Sequence, residues 1–171
     1  MNARLPCFAA LAASVAIALA APPAQAQRLL LAADVDAASG VEGGTYLGNV
    51  GIRRARTTLR FGVDGSIDEA PENLLAAALL VELEPHASLG AEVRLMRNVW
   101  KGLTLEIGAT GYLAPATLFG ATVGATYRIP LFSTASFTIG PALNGYFLGS
   151  DLPSGTIIWQ GLVRGGLRVA F

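Results

Sequence analysis

Along almost its whole length the chain alternates apolar and polar residues with a period of two, and its charges keep to one parity of that alternation. Eight segments carry the pattern, roughly 28 to 37, 57 to 65, 74 to 84, 87 to 97, 103 to 113, 117 to 129, 134 to 148 and 156 to 171. Their even positions hold Arg28, Asp34, Asp36, Arg60, Asp64, Glu82, Glu84, Glu92, Arg94, Glu106, Arg128, Arg164 and Arg168, thirteen charges in all. The odd positions hold one, Arg97, at a segment end. Successive side chains of a strand point to opposite faces, so this split predicts strands sharing one apolar and one charged face. The apolar parity reads Leu59, Phe61, Val63, then Leu79, Val81, Leu83, and later Phe119, Val123, Tyr127 and Ile129. No segment after residue 26 shows helical periodicity.

Eight antiparallel strands are best closed into an up-and-down barrel, because closure removes the edges on which sheets aggregate. Two barrels compete: a transmembrane one with the apolar parity towards lipid, and a soluble, lipocalin-like one with the apolar parity inside. The even face decides between them. Besides its charges it carries Gly90, Gly108, Gly120, Gly124, Gly140, Gly166 and many Ser and Thr residues, with no lysine. Soluble surfaces favour long, mixed charges, whereas an eight-stranded barrel has an interior just wide enough to be filled by side chains. Eleven of the twelve basic residues are arginine, Lys101 being the exception, and arginine suits desolvated pairing. The thirteen even-face charges comprise seven acids and six arginines, the near balance that a polar, side-chain-filled lumen requires.

Short links at 84 to 86, 98 to 102, 129 to 133 and 149 to 155 read as hairpin turns, while 38 to 56 resists assignment as strand or loop. Pro141 falls inside the seventh strand, where it cannot donate to the ladder and calls for a bulge or local break. At the other end of the chain, Arg4 precedes the apolar run "FAALAASVAIALA", and "AQA" at 24 to 26 supplies small residues for a signal peptidase. Residues 1 to 26 are therefore expected to be a cleaved signal peptide, taking Cys7 with them, and residues 27 to 171 a single barrel domain. Twelve basic against twelve acidic residues leave no excess to bind nucleic acid.

The leader, the eight alternating strands and the closing "LRVAF" resemble the small outer-membrane β-barrels of the outer membrane protein A and X type. The resemblance implies a Gram-negative outer membrane as location, with lipids and lipopolysaccharide as neighbours. It also implies that Phe171 belongs to a signal read by the barrel-assembly machinery. Aromatics at odd positions, Phe61, Phe119, Tyr127, Phe147, Trp159 and Phe171, would supply interfacial girdles. With both termini periplasmic, the outward loops would be 38 to 56, 85 to 86, 114 to 116 and 149 to 155, so little protein would protrude.

Chemistry-bearing constellations are few. His86 and Ser88 form a His-x-Ser like that of outer-membrane lipid A deacylases, but in a tight mid-chain turn of lumenward parity. Arg60, Glu82, Glu84, Glu92, Arg94, Glu106, Arg128, Arg164 and Arg168 are expected to form a lumen charge network, either a sealing set of ion pairs or a gated polar path. Arg53, Arg54 and Arg56 form the one basic cluster and could bind lipopolysaccharide phosphates from a loop. No metal cluster or cofactor is expected: there is one His, the only Cys lies in the leader, and phosphate-loop, nucleophile-elbow and dinucleotide motifs do not occur. The expectation is a non-catalytic, structural or envelope-associated membrane protein, or the anchor of a larger assembly whose partner the residues do not name. A narrow channel, a lipid A-modifying enzyme and a soluble periplasmic ligand carrier are the alternatives.

Overall fold

The computed structural model describes residues 31–46, 49–67, 72–83, 87–150, 152 and 155–171, and of residues 45–46 and 49–56 the backbone alone. The described residues form eight strands: β1 (Leu31–Tyr46), β2 (Asn49–Ser66), β3 (Asn73–Glu82), β4 (Ser88–Trp100), β5 (Leu103–Ala114), β6 (Leu118–Pro130), β7 (Ala135–Gly149) and β8 (Ile158–Ala170). Each pairs antiparallel with the next, and β8 pairs with β1, closing the barrel.

The ladder fixes the barrel's dimensions. Starting at Glu42, the directly opposed residues run through Gln160, Asn144, Thr122, Gly108, Arg94, Ala76 and Asp64 and return to β1 at Ala32, ten residues below the start. With a rise of about 3.3 Å per residue and strands about 4.8 Å apart, that stagger tilts the strands about 40° from the axis. The same geometry gives a backbone radius of roughly 8 Å, a bore that side chains can fill.

Parity governs the faces. Among the described residues every buried apolar or polar side chain is even-numbered, from Ala32 and Asp34 to Leu162 and Arg164. The large exposed apolar residues are odd-numbered apart from Trp100, Phe132 and Leu148. Two of these exceptions have a common cause. The β4–β5 register shifts between Asn98 and Trp100, and the β6–β7 register shifts between Phe119 and Gly120, opposite Leu148 and Tyr146. An extra residue on one strand reverses the alternation beyond it, so Trp100 and Leu148 turn outward. Phe132 lies in the β6–β7 turn.

Several boundaries differ from the sequence reading. β1 runs to Tyr46 and β2 begins at Asn49, so most of the unassigned 38–56 stretch is a hairpin continuing the wall. Arg53 and Arg54 are therefore strand residues opposite Glu42 and Val41, and Arg56 falls in the register shift after Ala38; none of the three is in a loop. β2 meets β3 only as far as Thr57, whose carbonyl accepts from Leu83 N at 3.0 Å, and its continuation to Asn49 pairs with β1 alone among the described residues. The first hairpin thus rises past its β3 neighbour, more than the short outward loops implied. The turn placed at 98–102 shrinks to Lys101–Gly102, with Gly102 at φ 79° as a two-residue hairpin demands. Phe61 sits mid-barrel between Val35 and Leu79 and belongs to no girdle. Phe119, Phe147 and Trp159 mark one end, and Trp100, Tyr127, Phe132 and Phe171 the other.

Pro141 produces the local break and no bulge. Ladder pairing with β6 stops at Gly124↔Ala142 and resumes in the same register at Tyr127↔Ile139, while pairing with β8 continues through Pro141↔Val163.

Ile107 is exposed on the outer face midway along β5. If that face meets hydrocarbon, Ile107→Arg should cost about 2–4 kcal/mol. Equilibrium unfolding in lipid vesicles checks this, and a cost below about 0.5 kcal/mol, the range of ordinary surface substitutions, contradicts a lipid-facing exterior.

Candidate functional site

The chemistry of the molecule is inside the barrel. Buried carboxylates and guanidiniums are stable only when paired and hydrogen-bonded, and the lumen face satisfies this with a network drawn from seven strands. Arg60 of β2 ion-pairs with Asp34 and Asp36 of β1 and donates from Nε to Glu92 of β4 at 3.2 Å. Glu92 Oε1 also accepts from Arg94 Nε at 2.8 Å and has Arg164 Nη1 at 3.9 Å. Arg94 bonds Glu106 of β5, whose Oε2 accepts from Arg164 Nη2 of β8 at 2.7 Å. Hydroxyls complete two acceptors: Thr126 of β6 donates to Glu106 Oε1 at 2.5 Å, and Thr138 of β7 to Asp36 Oδ1 at 3.1 Å.

Space for these side chains is left by lumen-facing glycines. A Cβ on Gly62 would stand 2.7 Å from Arg60 Nη2 and closer still to Asp34 Oδ1, and one on Gly124 would strike Arg164 Nη2. From β3, Leu74 and Ala76 pack with Met96 of β4.

Two further layers flank this band. Towards the chain ends, Arg168 makes a two-pronged contact with Asp64, Nε to Oδ1 at 3.0 Å and Nη2 to Oδ2 at 2.6 Å. Arg128 lies nearby without an ion pair among the described residues, and its Nε is buried without a hydrogen-bond partner. Towards the opposite end the filling turns aromatic. Tyr112 and Tyr146 form a tilted ring pair with centroids 6.0 Å apart, Thr58 and Tyr112 share a 3.3 Å hydrogen bond, and Gln160 donates to Glu42 at 2.8 Å. Among the described residues two lumen cavities of about 20 Å³ each have room for about one water molecule.

Of the network expected from the sequence, the structure joins Arg60, Glu92, Arg94, Glu106 and Arg164. Arg168 pairs with Asp64 and not with a glutamate, Arg128 stands outside the pairing, and Glu82 is buried in the lumen near the opposite end. Glu84 and His86 lie outside the described residues, as do the side chains of Arg53, Arg54 and Arg56. Ser88 is buried on the lumen face. Phe171 is exposed, its N–H donating to Leu31 O at 2.9 Å across the β1–β8 seam. Tyr112, Tyr146 and Gln160 were missed, although for the two tyrosines an even position inside a strand was the available signal.

No protein-family model and no curated protein matches the chain. Solved structures do. The crystal structure of Neisserial surface protein A is 13% identical, with a TM-score of 0.51 over 82% of this chain and 97% of that one. A designed transmembrane β-barrel, also 13% identical, gives 0.47 over 86% and 98%. Outer membrane protein AlkL, 8% identical, gives 0.40 over 88% and 94%. At such identities the likeness is one of fold: this is the closed eight-stranded architecture of small outer-membrane barrels.

Glu92 is the acceptor most shared among the arginines. Glu92→Ala would take the acceptor from the buried Nε groups of Arg60 and Arg94, while each arginine keeps another carboxylate, and should cost about 2–4 kcal/mol in urea unfolding. A loss under 1 kcal/mol contradicts the pairing described.

Proposed function

We propose that the protein is an integral, non-catalytic component of the bacterial outer membrane, exported through a signal peptide at 1–26, with a sealed lumen. The single observation that carries this reading is the filling of the bore. An outward face of Val, Leu, Ile and Phe suits hydrocarbon, and a lumen filled by ion pairs and a tyrosine pair, with water-sized cavities, suits a wall element more than a conduit. Its task is then structural or that of an anchor, performed through the ends of the barrel. The rising β1–β2 hairpin, with Arg53, Arg54 and Arg56 near lipopolysaccharide phosphates, is the natural contact on the outer side. Phe171 at the opposite rim is suited to recognition by the barrel-assembly machinery.

The test combines location and conductance. The protein should fractionate with outer membranes, migrate differently on gels with and without heating, and give no steady unitary conductance in planar bilayers. Recovery as a freely soluble protein defeats the membrane reading; steady conductance by the unaltered protein defeats the sealed lumen.

A further inference from the structure

We propose that the outer face of β4 and β5 carries a binding site for an anionic phospholipid, its acyl chain in an apolar groove and its phosphate on Arg97. The site rests on the membrane reading above and names a ligand that reading does not.

Arg97 breaks the rule that organises the molecule. Among the strand residues whose side chains are described it is the one odd-numbered charge, and it is exposed. In the ladder it lies between Asn73 of β3 and Leu105 of β5, near the end that carries the described chain ends. Among the described residues it forms no ion pair. A guanidinium there is costly in hydrocarbon and stable at the headgroup level, where a phosphodiester offers two-pronged acceptance.

The wall beside it is hollowed. A groove of about 510 Å³ opens on the outer face, lined by the apolar side chains of Ile67, Leu95, Leu105 and Ile107 with Arg97 among them. Leu74, Met96 and Glu106, whose side chains face the lumen, also line it, so the strand wall itself is its floor. An elongated apolar ligand with one anionic head matches this lining. Trp100, turned outward by the β4–β5 register shift and strongly exposed, stands three residues beyond Arg97, where an aromatic meets the interface. With both chain ends periplasmic, the groove faces the periplasmic leaflet.

Trp100 also supplies the probe. The chain has two tryptophans, so Trp159→Phe leaves Trp100 as the only emitter. That variant is reconstituted in phosphatidylcholine vesicles containing chain-brominated phosphatidylglycerol or chain-brominated phosphatidylcholine, and quenching of Trp100 gives the relative association of each. The anionic lipid should be favoured about fivefold, the scale of one arginine near an anionic headgroup. Adding Arg97→Gln should reduce the preference to unity, while Lys101→Gln in the adjacent turn should leave most of it, and inorganic phosphate should not compete. Equal association in the parent, a preference surviving Arg97→Gln, equal loss in Lys101→Gln, or displacement by phosphate each overturns the lipid site. The absence of quenching by either brominated chain overturns the membrane placement together with it.

Discussion

Closure of the hydrogen-bonded ladder is the constraint from which the rest of this structure follows. A bilayer offers no water to unpaired N–H and C=O groups, so a spanning sheet must leave no edge. Here β1 meets β8 from Ala32↔Ala170 to Gly44↔Ile158, and the ten-residue stagger of the circuit sets both tilt and bore. Pro141 shows how little departure is tolerated. It interrupts pairing with β6 at two positions, yet the register on either side is the same, and its partner in β8 holds.

A closed bore of that size must then be filled, and period-two alternation dictates that whatever fills it occupies every second residue. The filling is charged, and its composition follows from the cost of burying charge. In the central band four carboxylates, Asp34, Asp36, Glu92 and Glu106, face three guanidiniums, Arg60, Arg94 and Arg164. Towards the chain ends Asp64 faces Arg168 with Arg128 close by, an imbalance of the opposite sign. The two groups line one cavity, so the excess of each lies beside the other. Arginine is suited to this arrangement because one guanidinium bridges several acceptors, as Arg60 does with Asp34, Asp36 and Glu92. Each such bridge needs room, which explains glycine at 62 and 124: a side chain there would occupy the place of the guanidinium it faces.

Fold and facing were legible in the sequence because parity is a local property, readable in any five residues of a strand. Pairing within the lumen was not, because it depends on stagger. Which arginine reaches Glu92 is decided by the heights at which β2, β4 and β8 pass one another, a quantity that no single segment encodes. Asp64 was visible as an even-face charge, but its role as the partner of Arg168 needed β2 and β8 to be brought together across β1. The β1–β2 hairpin was hidden for another reason. Its stretch "SGVEGGTYLGNVG" is rich in glycine and short of large apolar residues, so it carries little alternation to read even where its backbone is strand.

The exceptions to parity carry more information than the rule. Trp100 and Leu148 are even-numbered, and by alternation alone they would have been assigned to the lumen. A single inserted residue in each strand, at the β4–β5 and β6–β7 register shifts, sends them outward. The two shifts lie at opposite ends of the barrel, near the rims where an apolar exterior gives way to polar surroundings. A bulge at a rim costs little pairing, because few ladder positions remain beyond it, and it delivers a large side chain to the level where aromatics are most stable. Arg97 is the third outward anomaly, and it needs no bulge. Its own odd parity places it on the outer face, one residue before the Asn98–Trp100 shift, so β4 presents a cation and an indole outward at neighbouring heights. Alternation puts the first there and its interruption the second, so one rim of the outer face carries a cation beside an indole.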